Sequence, residues 1–216
     1  SNRTITSPDI VQPYSQQFNL TFDYRLFGSD TVVSAAYVGT TARHLGMTRL
    51  PNGGSQWAAT INGQPNPRPL AAQYGNGVVT LLETGASSNY HGLQLALGGR
   101  LAKGLQIRGS YTWSKAMDDI STDAQNFISE NNRRLDYAPS DFDIRHNFNT
   151  AVMWALPFND RLPQGWLRNA FGGWQTSTII SLRSSLPYTL LSGTATPDGV
   201  ANNRPSPAAG ALVRNP

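Results

Sequence analysis

Apolar and polar residues alternate with a period of two along much of the chain, the mark of β-strands with two unlike faces. From Gln17 to Leu26, the apolar set Phe18, Leu20, Phe22, Tyr24 and Leu26 alternates with Gln17, Asn19, Thr21, Asp23 and Arg25. Leu105 to Trp113 repeats the pattern, with Leu105, Ile107, Tyr111 and Trp113 set against Gln106, Arg108, Ser110 and Thr112. In a third window Ile144, Phe148, Val152 and Trp154 oppose Asp143, Arg145, Asn147 and Asn149. Together with weaker stretches, this predicts about six strands, over residues 16–27, 31–45, 78–101, 104–115, 141–156 and 172–185. The expected fold is all-β, an antiparallel up-and-down meander over residues 16–190. Residues 1–15 are expected to form a connecting loop and 191–216 an external loop.

The connections alternate in length. Gly28-Ser29-Asp30 and Ala102-Lys103-Gly104 read as tight turns, whereas Gly46–Asn76 and Lys115–Ser140 are long loops. That alternation matches an outer-membrane barrel, with short turns on one side and long loops on the other. The strands are long enough for the roughly 9–11 residues that a tilted spanning strand requires. Aromatic residues gather toward strand ends, Phe18, Tyr111 and Trp113 on the long-loop side and Trp154, Phe158 and Trp174 on the other, as interfacial belts would.

Composition narrows the choice. Charged residues are only 14% of the chain, and Gly (20) and Pro (14) favour turn-rich β structure over a helical bundle. With no cysteine, thiolate metal sites and cysteine nucleophiles are excluded. The longest apolar stretch, Ala151–Phe158, falls short of a membrane helix. No signal peptide is expected within these residues, since Ser1-Asn2-Arg3-Thr4 leads into no hydrophobic run. The net charge of +4 comes from dispersed arginines with no basic run, so nucleic-acid binding is not expected. A soluble all-β binding module, such as a carbohydrate-binding sandwich, remains the alternative.

Little in the sequence points to catalysis or a cofactor. His44, His91 and His146 lack metal-motif spacing, and no nucleophile elbow, P-loop or dinucleotide fingerprint occurs. Two groups of side chains are candidates for binding. Asp23, Arg25, Arg108, Asp143, Arg145 and Arg183 lie on polar strand faces and would line a lumen, because a bare charge against lipid costs ~2–4 kcal/mol at mid-depth. Arg108 and Arg145 are expected inward on neighbouring strands, as cations that need anionic partners. The second group is the acidic external loop, Asp118, Asp119, Asp123, Glu130 and Asp136, with Asp141 beside it. Those carboxylates could hold Ca²⁺ or a cationic ligand, or pair internally with Arg133 and Arg134.

An ordered series of short pieces carries a family resemblance. They include Asn89-Tyr90-His91-Gly92-Leu93-Gln94-Leu95, Ser110-Tyr111-Thr112-Trp113-Ser114-Lys115, Ser140-Asp141-Phe142-Asp143-Ile144-Arg145-His146, Leu156-Pro157-Phe158, Gly173-Trp174-Gln175 and Asn203-Arg204-Pro205. From about Tyr14 to Pro205 the chain resembles the barrel of Oar-like TonB-dependent outer-membrane receptors. The resemblance implies a place in the outer membrane, its lipid bilayer as solvent, and a plug domain inside the barrel. It further implies an energy-transducing TonB complex as partner and an external ligand to be taken up or recognised. Against that family's pattern, the sequence is expected to be an internal slice of a larger barrel, with two sheet edges left to pair elsewhere.

Overall fold

The computed structural model describes residues 1–26, 30–55, 57–122, 133–158 and 164–190. Its body is one antiparallel meander. The main strands are β2 (Tyr14–Arg25), β3 (Val32–Arg49), β6 (Val79–Ala102), β7 (Leu105–Asp118), β9 (His146–Ala155) and β10 (Gln175–Arg183). They lie side by side in chain order, with β2 at one edge and β10 at the other. Among the described residues no second sheet covers either face; the two-residue β8 (Ala138–Pro139) pairs with the outer end of β7, and a two-stranded ribbon of β4 (Thr60–Ile61) with β5 (Gln64–Pro65) lies inside a loop. Among the described residues the sandwich expected of a soluble binding module is therefore absent.

At two points the chain departs from the sequence-based expectation. Residues 1–15 are not a plain loop: β1 (Arg3–Thr6) pairs in parallel with the start of β6, from Arg3 opposite Val79 to Thr6 opposite Leu82. The strand expected from residue 141 begins only at His146, because the Asp143 carboxylate accepts the Ala116 N–H at 2.7 Å and holds the preceding segment off the ladder. Of the two expected tight turns, Gly28 and Ser29 lie outside the described residues. At the other, Gly104 takes φ 76°, where a Cβ would be strained and would also press on the Ala155 carbonyl.

β3 and β6 outrun their neighbours. At about 3.3 Å per residue, the 24 residues of β6 extend about 80 Å, far more than the ~9–11 residues of a spanning strand. The excess forms a ribbon at the long-loop end, where the β3–β6 register shifts around Ala42–Gly46 and His44 adopts φ 55°. Here lies the buried apolar cluster, Met47 and Ala86 with Leu45 and Ile120 packed against them. In the meander below, by contrast, large apolar side chains are exposed, including Phe22 at 68% and Leu20 at 58%. Hydrophobic burial thus holds the ribbon together, while backbone ladders hold the meander.

The loop between β3 and β6 is folded. The Asn52 side chain is fully buried, donating to the carbonyls of Gly75 and Gly77 (3.1 and 2.7 Å) and accepting the Leu70 N–H (2.8 Å). Arg68 donates to the carbonyls of Asn52, Gly53 and Gly54 and lies 5.6 Å above the Trp57 ring. Ala71–Tyr74 (α1) adds one helical turn. At the opposite end of the sheet, the connection from β9 to β10 carries a short helix, α2 (Trp166–Phe171).

Candidate functional site

Residues directly opposite in a ladder share a face, so the pairing registers fix which side each residue occupies. One row runs Phe22–Ala35–Leu95–Tyr111–Phe148–Leu182 across all six strands. Below it runs Tyr24–Val33–Leu97–Gly109–Thr150–Ile180, and above it Leu20–Tyr37–Leu93–Trp113–His146. Phe18, Phe22, Ile107, Tyr111, Phe148 and Val152 all fall on this apolar face, as the alternation predicts. Phe18 sits opposite Gly39 with its ring where a Cβ would be, so the glycine lets the aromatic lie flat across the neighbouring strand.

The other face is polar. Its rows include Thr21–Ala36–Gln94–Thr112–Asn147–Arg183 and Asp23–Ser34–Ala96–Ser110–Asn149–Ser181. Amide and hydroxyl groups bond along it: Ser181 to Asn149 at 2.6 Å, and Asn149 to Asn147 at 3.0 Å. Charges segregate sharply. In the rows between Tyr24 and Trp113 the apolar face carries no Asp, Glu, Lys or Arg. Asp23, Arg25, Arg100, Arg108 and Arg183 all lie on the polar one.

Three of these arginines gather at the short-turn end. Arg25, Val32, Gly98 and Arg108 form one row, and Arg100, opposite Gln106, stands diagonally next to Arg108 at about 7–8 Å. The small residues between them leave a shallow depression of about 470 Å³, lined by Asp30, Arg100, Gln106, Arg108 and Met153 among others. Among the described residues, the guanidinium groups of Arg25, Arg100 and Arg108 make no ion pair. Arg100 escaped the sequence reading because the alternation of β6 is broken by Gly98 and Gly99 just before it.

The expected meeting of Arg108 with Arg145 does not occur. Arg145 follows Asp143 at the long-loop end and accepts the Ser114 N–H through its carbonyl, six positions along β7 from Arg108 and so about 20 Å away. Its charge is answered locally by Asp143, which is 5% exposed and 3.3 Å distant. Asp143 is consequently a structural anchor and not an open lumen carboxylate.

The acidic loop is likewise engaged in its own fold. Asp119 accepts the backbone N–H and hydroxyl of Ser87 (3.0 and 2.9 Å), and both oxygens of Asp118 accept the Ser121 hydroxyl. That Ser121 oxygen in turn accepts the Asp141 N–H, while Asp136 is buried. Asp123 and Glu130 lie outside the described residues. Among the described residues no group of acids and histidines is placed to hold a metal ion.

Two tyrosine–histidine pairs repeat on the apolar face. The Tyr37 hydroxyl meets His91 Nδ1 at 2.9 Å with the rings stacked at 19°, and Tyr111 meets His146 Nδ1 at 2.8 Å and 18°. A family model described as an outer membrane beta barrel domain matches residues 1–216. No curated protein and no solved structure matches the chain.

Proposed function

This chain belongs to the outer membrane β-barrel domain family, and from that premise we propose that it forms part of the wall of a TonB-dependent receptor that takes up or recognises an external ligand. Membership places the protein in the outer membrane; in the proposed arrangement the apolar face meets lipid and the polar face turns to the barrel interior. Short turns mark the periplasmic end and long loops the exterior. The ordered motif series from Tyr14 to Pro205 supports the receptor reading.

The observation that carries it is the trio Arg25, Arg100 and Arg108 at the periplasmic end of the inner face. Arg100 and Arg108, about 7–8 Å apart, repel one another, with Arg25 further along the same row, and an anionic surface seated inside the barrel would add to the single Asp30 carboxylate at this depression. A plug whose carboxylates rest on these arginines supplies one, and its withdrawal through TonB would open the path. The test uses the full-length protein. The receptor reading expects near-zero conductance in planar bilayers and co-purification with the periplasmic part of TonB. An open pore that ignores TonB would overturn it.

A further inference from the structure

We propose that the outward face carries a site for the phosphate of an anionic lipid headgroup, built from Lys115, His91 and His146 at the external rim. Lys115 is the first charge met on the apolar face on moving outward from mid-sheet. It stands directly opposite His91, in the row Phe18–Gly39–His91–Lys115. His146 lies one row inward, opposite Trp113 and so diagonal to Lys115. Lys115 stands between the two histidines, about 5 Å from His91 across the pair and about 7–8 Å from His146 on the diagonal, while His91 and His146, on the strands either side of β7, are about 12 Å apart. Lys115, His91 and His146 are all exposed, and among the described residues the Lys115 ammonium makes no ion pair.

The repeated tyrosine pairs give the histidines their role. Each Nδ1 is occupied by a tyrosine hydroxyl, Tyr37 for His91 and Tyr111 for His146. The proposal assigns the hydroxyl as donor, which puts the ring proton on Nε2 and leaves that atom a donor for an anion. Stacking holds both rings in place, with Phe18 a further 6.3 Å from His91. Two oriented N–H donors and an ammonium then sit just above an uncharged apolar band. A headgroup phosphate whose acyl chains lie against that band satisfies both parts at once. A soluble phosphate would use the donors but gain nothing from Leu20, Leu93 and Trp113 below them.

Native mass spectrometry of the full-length protein refolded in detergent, titrated with bisphosphorylated lipid A, dephosphorylated lipid A or inorganic phosphate, tests this. The phosphorylated lipid should be retained at least about ten-fold more strongly than the dephosphorylated one, the scale of one charge-assisted hydrogen bond. Lys115→Gln and the double variant His91→Phe/His146→Phe should each lose that preference, while Lys115→Arg retains it. Heat-modifiable gel mobility confirms that each variant is folded. Equal retention of the two lipids, or an unchanged preference in folded Lys115→Gln, would overturn the proposal. Displacement of the lipid by millimolar inorganic phosphate would show a free-phosphate site and overturn the lipid assignment.

Discussion

Leu95 and Gln94 are neighbours on β6, a strand paired on both sides, yet the registers place them on opposite faces. Arginine at each position therefore tests the facing with one chemical change. Leu95 stands four residues below His91, about 13 Å along the strand and, at a tilt near 45°, about 9 Å deeper than the rim. It belongs to the middle of the apolar band, where an arginine costs ~2–4 kcal/mol, or roughly a 30- to 800-fold fall in the ratio of assembled to unassembled protein. Gln94 is exposed on the polar face beside Ala36 and Thr112, so Gln94→Arg should stay within about 0.5 kcal/mol of the parent. The assay is refolding of the full-length protein into bilayers across a urea series, scored by heat-modifiable mobility. Leu95→Arg should shift the midpoint sharply and Gln94→Arg hardly at all. The reverse ordering, or equal damage from both, would show that the faces are misassigned.

Other perturbations probe separate parts of the account. Gly39→Ala forces the Phe18 ring off its site and should cost about 1–3 kcal/mol in the same urea assay, with Phe18→Ala relieving most of that loss in the double variant. Asp143→Ala leaves the Ala116 N–H and the Arg145 guanidinium without their acceptor and should cost about 1–3 kcal/mol. Equal stability of Asp143→Ala and the parent would remove its anchoring role. Asn52→Ala empties a fully buried hydrogen-bonding position and should loosen only the external loop, so that surface protease on intact cells cuts within residues 50–78 while the barrel still assembles. Replacing Arg25, Arg100 and Arg108 together by Gln should leave assembly unchanged but, on the proposal that a plug rests on them, raise single-channel conductance; an unaltered, closed channel would count against that docking role.

The two-faced meander was legible because period-two patterning is a local signal that each strand carries whole. Gln17–Leu26 and Leu105–Trp113 announce their faces without reference to any partner. What escaped was set by partners distant in sequence. Arg3-Thr4-Ile5-Thr6 is too short to read as a strand and becomes one by pairing with β6, more than seventy residues away. The extension of β3 and β6 beyond the membrane depends on Met47 meeting Ala86 across a bulge, which no local pattern announces. The registers put Asp23, Arg25, Arg108 and Arg183 together on the polar face of the sheet. Asp143 is buried with its carboxylate bonded to the Ala116 N–H, and in sequence such a residue looks like any other strand charge. Similarly, Asp118 and Asp119 read as an open acidic cluster, and only the fold shows them bonded to Ser121 and Ser87.

The central claim is the segregation of lipid-facing from interior residues, and this chain contains no cysteine, so single cysteines report their positions without background from it. Introduced along β2, β6, β7 and β9 of the full-length protein in bilayers, they can be labelled with a fluorophore and challenged with a lipid-borne quencher or an aqueous one. The registers predict a phase that changes with the strand. Even-numbered positions meet lipid in β2 and β9, at Leu20, Phe22, Phe148 and Val152. Odd-numbered ones do so in β6 and β7, at Leu93, Leu95, Ile107 and Tyr111, while Thr21, Gln94, Arg108 and Asn149 answer to the aqueous quencher. Quenching without a period of two, or with the same parity facing lipid in all four strands, would contradict the account.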